Sequence, residues 1–557
     1  MNNSKNWLRT GIVALAVSSF ALMGCEESTG SGNKAPEIVS ITASATTVSK
    51  GNSVILVAVV TDADGDAIEY KWSAASGTFS ATDNDTVSWK SPEVEAIVSL
   101  ELEVNDGINI SKSTIDIGVD VYVPAVQPYY MGAAACAGCH ADTYAGWAET
   151  NHADARDRKI ADLNGHYTPE NCDECHVTGY DTTVDNGGFD ENPVQAMANI
   201  QCESCHGPAS AHIAGGGDVS EISVTYGEDV CAQCHVEDSA YHPQMDEWMT
   251  SGHFNGATMD TTYSGWHYGG SCSRCHTGNG YVEYVETGIV ATIDISDATR
   301  VNCSACHNPH EGTNAHMLRE IDSATMAGGD VVTDGGFGIT CMNCHTGRRS
   351  QEDIADQIAE GGSRGIGPHH GNQGAFLNPD VAFFGVADET FIWTSSNHLS
   401  MENSCVTCHM EEGHGNEPTV EACESCHGVL TDFDDIIAKE DFDGDGLAEG
   451  VQSEVSGLMT ILETAIFATG IDTTGGLTMS TAAGKDSLDA VWDAVNAAGT
   501  YTVSQIRGAV FNYLAVDYDH SHGIHNFAFT VQLLQQSYKY LTGIDVPDSY
   551  MLASGEK

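Results

Sequence analysis

The chain has 557 residues, with 79 acidic against 21 basic side chains and a formal charge of −58. That length exceeds what one hydrophobic core usually serves, so two or three domains are expected. The acidity excludes the basic footprint that nucleic acid or an anionic membrane surface selects; it suits solubility and cationic partners.

Residues 1–24 read as a processing signal. Lys5 and Arg9 precede an apolar run from Gly11 to Met23, too short for a membrane span. The run closes on Leu22-Met23-Gly24-Cys25, which resembles the bacterial lipobox. That resemblance implies cleavage before Cys25, lipid on its thiol and amine, and an anchored protein. A linker, 25–35, follows.

The cysteine-free segment 36–124 reads as all-β. Val98, Leu100, Leu102 and Val104 alternate with polar residues, as do Ile115, Ile117, Val119 and Val121. Turn clusters at Asp62–Asp66 and Asn105–Gly107 separate the strands; Asp62, Asp64 and Asp66 suit a turn better than a calcium site. With Trp72 as a candidate core tryptophan, the segment resembles the immunoglobulin-like or PKD-like sandwiches of bacterial surface proteins. The resemblance implies a spacer or adhesive role.

Residues 130–430 carry the chemistry. C-x-x-C-H is the attachment signature of haem c, in which two thiols add to the porphyrin and the histidine becomes an iron ligand. It occurs at Cys136/Cys139/His140, Cys172/Cys175/His176, Cys202/Cys205/His206, Cys231/Cys234/His235 and Cys272/Cys275/His276. It recurs at Cys303/Cys306/His307, Cys341/Cys344/His345, Cys405/Cys408/His409 and Cys423/Cys426/His427. Of the 19 cysteines, only Cys25 lies outside these motifs, so none remains for a disulfide, a zinc site or a nucleophile. Nine haems at this density would themselves form much of the core of a loop-rich, mainly α domain.

The chain holds 24 histidines, an excess that points to a second histidine on each iron and to potentials below those of Met/His cytochromes. Trp147…His152, Trp248…His253 and Trp393…His398 share W-x-x-[ST]-[NG]-H, which makes His152, His253 and His398 candidates. His212 and His310 follow motifs across a proline, His370 lies in Pro-His-His-Gly, His414 between the last two motifs, and His525 in Gly-Ile-His-Asn. The ninth ligand is open among His267, ranked first, His166 and His316.

Residues 431–557 read as helical and motif-free. Val455, Leu458, Met459, Leu462 and Ile466 follow helical spacing, as do Phe527, Val531, Leu534, Tyr538 and Leu541. Before the first set, Asp441, Asp443 and Asp445 alternate as at the start of a calcium loop. The EF-hand's twelfth position is Gln452, so Glu449 or Glu454 would have to close the coordination. The alternative is an acidic turn capping the helix.

Cys405-Val-Thr-Cys-His-Met410 after Asn397-His398, Pro368-His-His-Gly371 and Gly523-Ile-His-Asn526 resemble the multihaem superfamily of nitrite reductases and hydroxylamine oxidoreductases. Closest in character are the lipoprotein cytochromes on the outer membrane of metal-reducing bacteria. That resemblance implies electron transfer to other redox proteins or an extracellular acceptor, and it is compatible with self-association through stacked haems. The competing reading is a reductase of small nitrogen or sulfur oxyanions with one open iron. Lysine-ligated members of that superfamily carry lysine at the active haem, yet no lysine occurs between Lys159 and Lys439. An electron carrier rather than an enzyme is therefore expected, with no catalytic residue assigned.

Overall fold

The computed structural model describes residues 33–161, 167–236, 242–255, 272–294, 296–360, 367–383, 394–411, 413–470 and 500–552. The signal segment, Cys25, His166, His267 and Trp393 lie outside the described residues. The chain divides into two compact units, Met1–Val224 and Thr225–Lys557.

In the first unit, alternating hydrophobicity produces eight strands: β1 (Glu37–Ala43), β2 (Thr47–Val48), β3 (Ser53–Thr61), β4 (Glu69–Ala74), β5 (Thr78–Phe79), β6 (Thr86–Lys90), β7 (Ala96–Asn105) and β8 (Ile110–Val119). They form two four-stranded sheets, ordered β1-β3-β6-β5 and β2-β8-β7-β4. All pairings are antiparallel except β2 with β8. Val98, Leu100, Leu102 and Val104 of β7 turn inward and share one core with Val54 and Leu56 of β3, so the sheets face each other. Ile117 and Val119 of β8 join them, whereas Val121 lies beyond the strand. Trp72 is buried as expected for a core residue, and Trp89 on β6, which the alternation did not single out, is fully buried. Gly77 has φ +80°, and a Cβ there would lie 2.5 Å from the Trp89 ring, so glycine suits this turn doubly. The Asp62 carboxylate accepts the N–H groups of Asp64 and Asp66, which makes that acidic cluster a turn.

Beyond the sandwich the first unit is loops and short helices, among them α1 (Ala141–Ala148). The second unit opens in the same manner, with α2 (Gln244–Thr250) and α3 (Gly278–Thr287). It ends in three long helices, α4 (Val451–Ala468), α5 (Val503–Asp519) and α6 (Phe527–Thr542). The predicted apolar faces of α4 and α6 pack together with α5 and with residues Ala324–Leu399 in a single core. Helix α5 is anchored by a capping box between Thr502 and Gln505. Asn372 Nδ2 donates to Ala515 O at 2.9 Å and Asn526 Nδ2 to Phe376 O at 3.1 Å, tying the helices to the motif-bearing chain. Among the described residues, no helix is long and apolar enough to cross a membrane.

Candidate haem sites

Each attachment motif is wound by local hydrogen bonding. The N–H of His140 donates to Cys136 O, His235 to Cys231 O, His307 to Cys303 O and His345 to Cys341 O, at 2.9–3.0 Å. This single helical turn brings the two cysteines, three apart, and the histidine, four after the first, to one side. Buried side chains fix the turns in place. Asn302 caps the one starting at Cys303 by accepting from Ser304 N, and its amide donates to Tyr226 O at 2.7 Å. Glu203, inside the Cys202–His206 turn, accepts from the backbone N–H groups of Met131, Gly132 and Ala209.

The motif thiols differ in how far the polypeptide itself encloses them. Cys139 is exposed, like Cys426, and a Cβ on the preceding Gly138 would meet nothing within 4 Å. Cys175 and Cys234 are only half-buried. The physical reason is that polypeptide alone supplies no apolar wall there: neither cysteine packs on an apolar cluster, whereas Cys405 lies against the core of the second unit. Each of these sulfurs keeps its place in a C-x-x-C-H turn.

Two imidazoles bound through Nε2 to one iron place their ring centres about 6.3 Å apart, given metal–nitrogen bonds of about 2.0 Å. Among the described residues, six histidine pairs lie near that spacing: His140–His212 at 6.5 Å, His253–His345, edge-on, at 6.3 Å, His276–His369 at 6.2 Å, His307–His414 at 6.0 Å, His398–His427 at 6.3 Å and His409–His525 at 6.3 Å. Every pair joins one motif histidine to one outside the motifs. Five of the outside partners are sequence candidates: His212, His253, His398, His414 and His525. The sixth is His369, where the sequence pointed to its neighbour. His370, the sequence candidate, also meets His276, at 5.6 Å, and ring nitrogens of His276, His369 and His370 all lie within 4.8 Å of one another, so both neighbours stand beside this motif histidine.

The Nδ1 atoms decide which ring nitrogen faces the partner. Those of His206, His212, His307, His398 and His409 bond carbonyls at 2.6–2.9 Å. Those of His345 and His235 bond the side-chain oxygens of Gln373 and Gln244. His414 uses Glu247 at 3.2 Å and His525 uses the buried Asp519 at 2.7 Å. An acceptor at Nδ1 keeps the proton there and leaves the Nε2 lone pair for a metal. The donor set therefore fits haem c: two thiols, a ligating imidazole and, in six cases, an opposed imidazole. The carboxylate of Asp519 raises the basicity of His525 against the burial that opposes its charging.

The motif histidines His176, His206 and His235, which follow Cys175, Cys205 and Cys234, are held through Nδ1 by Ala155 O, Ser223 O and Gln244 Oε1. His235 meets His242 edge-on at 5.2 Å, and Tyr167 lies edge-on to His176 at 5.6 Å. The candidate His310 is exposed, His152 is half-buried, and the carbonyl of His316 holds His307. The tryptophan repeat has a structural meaning. Trp147 Nε1 donates to Ile200 O at 3.1 Å and Trp248 Nε1 to Val301 O at 3.2 Å. Each carbonyl lies two residues before a motif, at Cys202 and Cys303, and each tryptophan reaches it over the same separation. In both copies the first cysteine of that motif contacts the first cysteine of an earlier one, Cys136 with Cys202 and Cys231 with Cys303. The two segments thus share this tryptophan contact and this pairing of motif cysteines.

In the acidic loop before α4, Asp441, Asp443 and Glu454 bring carboxylate oxygens within 4.8 Å of one another. The sequence offered Asp441, Asp443 and Asp445 with Glu449, or alternatively Glu454, to close the group. Glu454 takes the third place because it lies on the first turn of α4 and folds back, fully buried, accepting from the N–H groups of Phe442, Asp443 and Glu449. Asp445 instead accepts from Leu447 N at 2.8 Å.

The family model for cytochrome c554 and c-prime matches residues 135–207, and a doubled CXXCH motif model matches residues 297–328. The multiheme cytochrome MtrA of Shewanella baltica is 26% identical over 213 residues, covering 35% of this chain and 57% of that protein. The C-type polyheme cytochrome OmcB of Geobacter sulfurreducens is 26% identical over 183 residues, covering 29% of this chain and 22% of that protein. The chain thus spans little more than half of the first relative and about a fifth of the second. By its repeated attachment motifs and these matches, the chain is a homologue of the multihaem c-type cytochromes.

Proposed function

We propose that this chain is an electron-transfer protein carrying nine haems c, anchored by lipid at Cys25 on the outer membrane and passing electrons to other redox proteins or an extracellular acceptor. One observation carries the reading: six imidazole pairs face each other near 6.3 Å, with Nδ1 held by an oxygen acceptor in at least one ring of five of them. Bound haem c supplies one-electron chemistry at iron. The protein's residues do the rest. Cysteines fix position, paired imidazoles saturate both axial sites and lower the potential relative to Met/His ligation, and the acidic surface selects cationic or weakly charged partners. At the six paired sites two imidazoles would hold the iron and leave no position there for a substrate, which favours a carrier over a reductase.

The N-terminal sandwich serves in this reading as an immunoglobulin-like spacer between the lipid anchor and the first motif. The loop of Asp441, Asp443 and Glu454 would hold calcium, fixing the start of α4, the helix that packs against α6 behind His525. The test is haem quantification on the purified protein together with electron paramagnetic resonance of the oxidised form. Nine haem equivalents with low-spin signals alone are expected. A high-spin component that shifts on adding nitrite or hydroxylamine would favour the reductase instead.

A further inference from the structure

Carboxylates occur at about one residue in seven along the chain, yet three stretches that converge on one attachment site carry none: 272–282, 335–350 and 367–379. The first holds the motif ending in His276, the second the motif ending in His345, and the third the neighbours His369 and His370. Hydrogen bonds fix the convergence. Arg274 Nη2 donates to Asn343 O at 2.8 Å, Gly347 N to Gly371 O at 2.9 Å, and His345 Nδ1 meets Gln373 Oε1 at 2.8 Å. At the meeting point, ring nitrogens of His276, His369 and His370 lie within 4.8 Å of one another.

The same stretches carry Arg274, Arg348 and Arg349 in a chain poor in cations. Arg274, between the two motif cysteines, is engaged internally: its guanidinium lies over the Tyr284 ring at 4.7 Å and donates to Asn343 O. Arg348 and Arg349 follow the Gly347 turn that is bonded to Gly371. Their charges reach the site. Burial and His370 push the His369 imidazole down to about 3, and both arginines act in the same direction. The Cys275 thiol is drawn down to about 6, first by its hydrogen bond with Cys344, then by Arg274 and by Arg348. Asp353, held low by hydrogen bonds from Ser350, also feels Arg349. Arg348 differs. It is exposed, and the ion pairs of the described residues all use other cations.

Attachment chemistry limits what this arginine can meet. The thioethers of haem c form at the vinyl-bearing edge of the porphyrin, and the propionates leave the opposite edge. A charge that acts on Cys275 therefore stands at the thioether edge, away from the propionates of the same haem. We propose that Arg348, with the exposed His370 nearby, marks a docking point for a small anionic electron acceptor at the thioether edge of the His276 site. This rests on the haem-carrier reading above and adds an exception to its acidic surface. A chain of charge −58 repels a multivalent anion over most of its surface. Here carboxylates are absent from three converging stretches and one guanidinium is exposed without an ion pair. The acceptor takes one electron and becomes more negative by one charge, leaving the site oxidised by one electron; no bond forms and no proton moves.

Hexacyanocobaltate(III), a redox-inert trianion, serves as the binding probe for the haem-loaded full chain in isothermal calorimetry at low ionic strength. One site is expected, weakened about five-fold in Arg348→Gln, lost in Arg348→Glu and retained in Arg348→Lys. In stopped flow, oxidation of the reduced chain by hexacyanoferrate(III) should slow about ten-fold in Arg348→Glu, and added salt should close the gap. Oxidation by the trication hexaammineruthenium(III) should not slow. No binding, binding that Arg348→Glu leaves unchanged, or equal slowing with both oxidants overturns the docking point. A shifted haem potential in Arg348→Gln with unchanged probe binding would assign the arginine to a propionate of a neighbouring site, and overturns it as well. Each of these outcomes leaves the carrier reading intact, which falls only if the purified chain holds no haem.

Discussion

The sandwich and the motif-bearing chain that follows it are built on different physics. The sandwich closes on twelve buried apolar side chains drawn from both sheets. Between Ala133 and Val301 the described residues contribute to neither apolar cluster, and the interior positions there include Asp173, Asn199, Gln201 and Glu203. Those polar groups are occupied in holding backbone: Gln201 accepts from Ala133 N, Asn199 from Arg156 N, and Glu203 from three N–H groups. A polypeptide that buries so little apolar surface does not offset its conformational entropy unaided. The sandwich is self-sufficient, whereas the motif chain is specified to surround something else.

The largest expected effect follows from that contrast. Expressed without haem attachment, the chain should keep the sandwich folded while the stretch from Ala133 to Val301 loses protection. Limited proteolysis with mass spectrometry checks this; protection of both regions alike would erase the distinction. The complementary variant is Trp89→Ala. Removing this fully buried ring should cost the sandwich about 3–5 kcal/mol, as large-to-small core changes do. Urea unfolding followed by tryptophan fluorescence measures it, and haem content should stay at the wild-type value.

The same contrast decides what could be read in advance. The alternation of β7 and the helical spacing of α4 and α6 were legible because one periodic face meets one apolar core. Helix α5 was overlooked, although its Thr502-x-x-Gln505 box announces a helix start. In the motif chain, periodicity is silent, since ligand geometry replaces apolar faces. There the chemistry-bearing residue types were legible and their partners were not. His212 follows its motif within a few residues, yet it faces His140, far earlier in the chain. His369 and His370 are adjacent in sequence and both approach His276, so chain order does not choose between them. Glu449 and Glu454 were both open from the sequence, and the choice between them waits on the fold, because Glu454 reaches the loop only by folding back from the first turn of α4.

Within the motif chain, second-sphere acceptors should tune individual sites without altering how many there are. Asp519 is 2% exposed and holds His525 Nδ1 at 2.7 Å, giving that imidazole partial imidazolate character. Asp519→Asn removes the charge and keeps a side-chain oxygen. The haem count should remain nine, and the potential of the site shared by His409 and His525 should rise while the others stay. A spectroelectrochemical titration in which every component moves together, or none moves, would speak against a local role.

The smallest effect belongs to the acidic loop before α4, where the core is apolar again but its entry is charged. Burial, together with Glu454, Asp445 and Asp441 nearby, pushes the Asp443 carboxyl up to about 6. The folded state then binds a proton more tightly than the unfolded chain, whose aspartates titrate near 3.9. Without calcium, stability should therefore fall as pH rises from about 4 to about 6 and stay lower at pH 7. Calcium needs the ionised carboxylate, so its stabilising effect should be weak below pH 6 and full above it. Asp443→Asn keeps an oxygen for Asp445 N but removes the repulsion. Its calcium-free melting temperature at pH 7 should exceed that of the wild type, the pH slope should flatten, and added calcium should raise the melting temperature less. If calcium stabilises the variant and the wild type equally, the carboxylates serve only to cap α4 and its loop, and the charged entry needs no ion.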